Sequence, residues 1–86
     1  MKKYSAKIIV NIKPSIKDIK GLTLKNAIEN IVEINNLNCR VGSIYTINFD
    51  SMNIQQAEKI ANKIAQEILS NEVIETYEVK IEEIYE

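Results

Sequence analysis

The chain has no histidine and no tryptophan, a single cysteine (Cys39), a single proline (Pro14) and two well-separated glycines, Gly21 and Gly42. Each shortage removes a class of chemistry. Histidine is the usual general acid or base near neutral pH and a common metal ligand, so His-based triads, Cys-His pairs and the usual zinc sites are excluded. Two distant glycines cannot build a Gly-rich phosphate loop. One cysteine forms no internal disulfide, and a lone thiol suits a reducing compartment. Packing residues are plentiful, with 45% of the chain hydrophobic. The composition therefore favours a function of shape and contact over one of bond making.

At 86 residues the chain makes one domain, here residues 1–86. A domain of this size buries only about 60–65% of its unfolded surface, and many such domains gain stability by oligomerising. The formal net charge is −1, which argues against nonspecific nucleic-acid binding. The charge is nevertheless uneven. Lys2, Lys3, Lys7, Lys13, Lys17, Lys20 and Lys25 crowd the first third, where Asp18 is the lone acid, whereas Glu72, Glu75, Glu78, Glu82, Glu83 and Glu86 crowd the end. Two solvated faces that pair across adjacent strands account for this, and a bipolar docking surface is the functional alternative. There is no apolar signal region at the N-terminus and no run of membrane-spanning length, so a cytoplasmic protein is expected.

Tyr4, Ala6, Ile8, Val10 and Ile12 alternate with Ser5, Lys7 and Asn11, the period of a half-buried strand. Ile9 interrupts the polar face. Pro14 ends pairing. Asp18 is a good N-cap for a first helix, with Thr23 as a second candidate start. Leu24, Ala27, Ile28, Ile31 and Val32 make its apolar stripe, and Asn35, Asn36 and Asn38 end it. A second strand, long and bent, is expected from Cys39 to Phe49, with Gly42 marking a bulge, bend or close backbone approach. Asp50 or Ser51 is expected to cap a second helix. Its stripe runs through Ile54, Ala57, Ile60, Ala61, Ile64, Ala65 and Ile68, and Ser70-Asn71 ends it. Val73 to Ile84 reads as a last strand.

The order β-α-β-α-β predicts an α+β two-layer sandwich: a mostly antiparallel sheet covered on one face by two helices. The opposite face stays partly open, with Ile9, Ile44 and Ile74 toward it or toward an edge. Exposed apolar residues on so small a sheet predict a dimer.

Reactive groups are few. Glu82-Glu83 and the Glu75/Glu78 neighbourhood lie in no obvious cleft. Cys39 reads as a small hydrophobe, because its neighbour Arg40 should point to the other face of the strand. Arg40 is the only arginine, and its planar fork suits either an ion pair with a terminal Glu or an interface anchor. Tyr45 and Tyr77 fall on apolar strand faces and read as core. Tyr4 and Tyr85 lie near the termini, freer for contacts.

Three stretches, in order and at matching spacing, resemble the PurS family, the small subunits of phosphoribosylformylglycinamidine synthase in de novo purine biosynthesis. The likeness spans Tyr4 to about Ile84. Ile12 to Gly21 is similar to the family's lysine-containing strand end followed by Asp-Pro-Gln-Gly, with Asp18 and Gly21 matching and Ile19 and Lys20 replacing the middle pair. Cys39-Arg40-Val41-Gly42-Ser43 is similar to Val-Arg-x-Gly-Lys, with Cys39 and Ser43 departing. Leu69 to Tyr77 is similar to Leu-x-Asn-Pro-Val-Ile-Glu-x-Tyr, with Glu72 in place of Pro.

The resemblance implies a non-catalytic, dimer-forming subunit that joins an ATP-dependent ligase subunit to a glutaminase subunit and supports ammonia transfer between them. It implies no cofactor on this chain, since ATP and Mg are used by the ligase subunit. Arg40, Gly42 and Ser43 in the expected bend, with Ile74, Glu75 and Tyr77 in the last strand, are the candidate assembly residues. Catalytic and metal-ligating residues are not expected. The alternative reading is a small dimeric regulatory domain that binds a metabolite at its seam, and a generic dimerisation module is a third.

Overall fold

A computed structural model describes residues 1–85. The elements follow in the expected order: β1 (Lys2–Ile12), α1 (Ile19–Ile31), β2 (Gly42–Ser51), α2 (Ile54–Ile64) running into a π-helical turn (Ala65–Leu69), and β3 (Glu75–Ile84). The three strands form one sheet in the order β2-β1-β3, antiparallel throughout. β1 is thus the central strand. This explains why Tyr4, Ala6, Ile8 and Val10 are its buried face, although Tyr4 stands close to the N-terminus. The expectation that Tyr4 is free for contacts is corrected: it is paired on both sides, with Phe49 and Glu83, and only 2% exposed.

Register follows the pleat. Ala6 lies between Ile47 and Ile81, and Ile8 between Tyr45 and Val79, so all of these share the buried side of the sheet. Ala57, Ala61 and Ala65 are fully buried and let α2 approach β1 closely. Ile47, Leu69, Tyr77 and Val79 pack around Ile8, Val10 and Ala65 to complete the core. Ile9 and Ile44 are directly opposed on the other face, as expected, among charged and polar neighbours.

The helix boundaries have local causes. Asp18 caps α1 by accepting a hydrogen bond from the Gly21 amide at 2.8 Å. The cap of α2 is Asn53 rather than Asp50 or Ser51: its Oδ1 accepts from the Gln56 amide at 2.9 Å. Gln56 Oε1 accepts in return from the Met52 amide and from the Ser51 hydroxyl, a reciprocal arrangement that satisfies donors on both sides of the cap. Asp50 and Ser51 are withdrawn from capping because they still pair with Lys3 and Lys2 in the sheet. At the far end the Ser70 amide and hydroxyl both donate to the Ala65 carbonyl, closing the π turn where the sequence places its stop.

The two helices relate differently to the sheet. α2 joins β2 to β3, which run parallel to each other on either side of β1, so the connection has to cross a face of the sheet. It packs on all three strands. α1 joins β1 to its antiparallel neighbour β2, whose ends meet at Asn11 and Gly42. That connection leaves and returns at one point. The 11 residues of β1 span about 37 Å and the 13 of α1 about 20 Å. α1 has no substantial packing against any strand and buries only Gly21, so it stands off the sheet in a molecule 51 Å long.

Candidate functional site

The root of α1 is tied to distant segments of the chain by side-chain hydrogen bonds. Asp18 is 4% exposed. One carboxylate oxygen accepts from the Gly21 amide, and the other accepts from the Val41 amide at 2.7 Å. A single side chain thereby ties the start of α1 to the start of β2. Arg40 completes the clasp: its Nη2 donates to the carbonyls of Lys13 and Ile16, both at 2.8 Å. The Val41 and Gly21 amides, aided by the Arg40 charge, hold the Asp18 carboxyl below its ordinary pKa against the opposing effect of burial.

Both glycines serve this junction through close approach. Neither has a positive φ. A Cβ on Gly21 would overlap the carbonyl oxygen of Cys39, so the segment returning from α1 runs hard against the helix there. A Cβ on Gly42 would overlap the Asn11 side-chain oxygen and lie 2.9 Å from the Val10 carbonyl oxygen. The expected close approach at Gly42 is therefore present. Its cause is neighbouring atoms, not an unusual backbone angle. The strand begins at Gly42 and not at Cys39, because the Val41 amide is committed to Asp18 before pairing with β1 begins.

The structure gathers the six candidate residues at this end of the sheet. Gly42, Ser43 and Glu75 line one cleft of ≈ 330 Å³ with Asp18, Lys17 and Lys20. Ser43 and Tyr77 flank Val10 from opposite sides. Ile74 accepts a hydrogen bond from the Lys13 amide at 2.9 Å, and the Glu75 carboxylate accepts from the Asn71 amide at 2.7 Å. Tyr77 packs into the core. Arg40, though exposed, directs Nη2 of its fork to two backbone carbonyls. The sequence reading missed Asp18 as a bridge and Gly21 as a close approach. Their signal was the Asp-to-Gly spacing at the helix entry.

Nothing in this junction resembles an active site. Asp18 spends both oxygens on amides, and Cys39 is half-buried with the Arg40 fork directed elsewhere. Among the described residues no group of three or more His, Cys, Asp or Glu is placed to hold a metal ion. No helix among them is long and apolar enough to cross a membrane. The site fixes the direction in which α1 leaves the sheet.

Comparison with known proteins gives this architecture a family. No curated protein matches the chain. Among solved structures, PurS of Methanocaldococcus jannaschii superposes with a TM-score of 0.83 at 23% identity, covering 95% of this chain and 99% of that one. PurS of Thermus thermophilus gives 0.81 at 26% identity over 96% and 99%. A chain of the PurLQS structure from Thermotoga maritima gives 0.81 at 27% identity over 98% and 100%. The family model PurS, phosphoribosylformylglycinamidine (FGAM) synthase, matches residues 5–83, and the chain belongs to that family.

Proposed function

We propose that this chain is the non-catalytic small subunit of FGAM synthase, bridging an ATP-dependent ligase subunit and a glutaminase subunit and supporting ammonia transfer between them. The observation that carries the reading is the family match over residues 5–83, joined to full-length similarity with a chain of the Thermotoga maritima PurLQS structure. The chemistry of the chain agrees with it. A protein without histidine and with its best-placed carboxylate occupied by two amides is built to hold shape. ATP and Mg serve the ligase subunit in this reading. In this reading the assembly is cytoplasmic, and residues 1–86 act as a single PurS-like domain.

Arg40, Gly42, Ser43, Ile74, Glu75 and Tyr77 belong in this reading to the assembly-sensitive end of the sheet, either as contact surface or as its support. The test is glutamine-dependent synthase turnover by the matching ligase and glutaminase subunits, with and without this chain, beside an ammonia-dependent control. The expected outcome is glutamine-dependent turnover only when the chain is present, with ammonia sufficient in its absence. A chain that changes neither rate and co-elutes with neither subunit overturns the reading and moves the metabolite-binding alternative forward.

A further inference from the structure

α1 is held at its root and by little else. No strand packs substantially against it, Gly21 is its only buried residue, and only Lys25 and Ile28 are half-buried. The radius of gyration is 16.8 Å, against about 12 Å for a compact domain of this length, as befits a helix that stands off its sheet. Local sequence does not make up for the missing contacts. A helix of 13 residues is marginal in water even when rich in alanine. α1 has one alanine, Ala27, among a glycine, a threonine, two asparagines and three isoleucines, all poorer helix formers. Its charges also oppose the helix dipole. No acid lies in the first turn and no base in the last, whereas Lys20 sits toward the positive end and Glu29 toward the negative one. The C-cap is an extended Val32 in place of the left-handed glycine that closes many helices. Residues 33–39, which lead back from the helix, take part in no hydrogen bond among the described residues.

The root is different. The Asp18 carboxylate accepts from the Gly21 amide, and its backbone carbonyl accepts from the Leu22 amide at 3.0 Å. The second carboxylate oxygen accepts from Val41, and Arg40 ties down the carbonyls of Lys13 and Ile16. These bonds set the first turn, the costly step of helix formation, but they reach no further than Leu22. Beyond it the helix depends on propensity and on cover, and the lone chain supplies little of either. We propose that α1 is a conditionally ordered arm. In a chain standing alone, residues 24–38 open and close as a local unit, with the two forms comparably populated, while the root, α2 and the sheet stay folded. The helix closes from the root, so order declines toward Ile31. A contact made through α1 is then coupled to completing the helix, weak for the area it buries and adjustable through residues that touch nothing. The inference rests on the geometry of this chain alone and stands or falls separately from the synthase reading.

The test is amide hydrogen exchange, read by mass spectrometry on the full chain at nanomolar dilution. Amides of residues 26–31 are expected to exchange more than about a hundredfold faster than those of the central strand β1. Gly21 and Val41, at the root, are expected to stay slower than the tip. An α1 as protected as β1 at that dilution overturns the proposal, and so does a tip as slow as the root. Ala27→Gly is an independent check, because it lowers helix propensity at an exposed position without removing a buried group. If the arm is already half open, the folding constant from a urea curve at the same dilution falls by less than about twofold. If α1 is closed and folds with the rest, the glycine costs about fivefold. A fivefold loss therefore overturns the proposal. The same variant should remove the remaining protection of residues 26–31 and leave that of β1 within about twofold of wild type. Equal acceleration in both segments would show that α1 opens only when the whole molecule unfolds, which also overturns it.

Discussion

α1 and α2 follow similar rules of sequence and end in opposite situations. Each begins at a side-chain cap, Asp18 or Asn53, and each carries an apolar stripe at helical spacing. α2 buries Ala57 and Ala61, the centre of its stripe, on its own sheet, while α1 leaves most of its stripe exposed. The difference lies in what each helix connects. A connection between parallel strands separated by a third has to cross the face of the sheet, so α2 is delivered onto the core by topology. A connection between adjacent antiparallel strands has no such obligation. It can project, and the Asp18–Arg40 clasp makes it do so. Amphipathicity thus tells that a helix will be covered, and connectivity tells whether the same chain can do the covering.

The sharpest way to break this contrast is to remove the same kind of group from each region. Ile8 is fully buried at the centre of β1, so Ile8→Ala should cost about 2–5 kcal/mol in a urea unfolding curve. Ile31, at the end of α1, is 81% exposed. Ile31→Ala should shift the same curve by less than about 0.5 kcal/mol when measured at a concentration low enough to keep the chain monomeric. Similar losses from both substitutions would show that α1 is part of the monomer's core, and the distinction between the helices would collapse.

A smaller effect sharpens the account of the junction. Helix propensity alone says that Gly21→Ala should stabilise α1 by about 1 kcal/mol. The new Cβ, however, would overlap the Cys39 carbonyl oxygen and lie 3.0 Å from the Asp18 carboxyl carbon. A backbone carbonyl cannot swing aside as a flexible side chain can, so a loss of about 1–3 kcal/mol is expected. Amide hydrogen exchange should accelerate across residues 19–41 and stay slow in β1. A stabilised variant would mean that the return segment yields easily and that the clasp is not what aims the arm.

Much of this was legible before the structure, and the parts that were not share a cause. The β1 alternation, the alanines of α2 and the Asp18 cap were readable because each is a local pattern with one physical interpretation. The cap of α2 was misplaced because Asp50 and Ser51 are good caps in isolation. Pairing with Lys3 and Lys2 holds them in the strand, and that pairing is not a local property. Tyr4 is buried and Tyr45 is 37% exposed, the reverse of what their positions in the chain suggested, because β1 is central and β2 is an edge. Strand order decides this, and three strands of similar pattern do not announce their order. Arg40 resisted for a different reason. Its partners are two backbone carbonyls, and acceptors that every residue possesses leave no mark in the sequence.

The clasp is held by charge as well as by shape. The folded-state pKa of Asp18 is lowered from its usual value of 3.8, first by the Val41 amide and then by the Gly21 amide. A depressed carboxyl stabilises the form that carries it at every pH above the unfolded value. That contribution is lost as pH falls through the lower, folded value. The loss should therefore appear below about pH 4 and should be read locally, because the many Glu residues titrate in the same range. The Val41 and Gly21 amide signals are the reporters: protected at about pH 5 and above, they should lose protection together as acid is added. Asp18→Asn separates charge from shape. Asn remains a good N-cap, so the Gly21 contact survives, but its amide nitrogen then faces the Val41 N–H, donor against donor. The Val41 amide should exchange faster already at neutral pH and show no acid transition of its own. If wild type and variant instead titrate alike, the carboxylate is not what binds α1 to β2, and the fixed projection of α1 would need another cause.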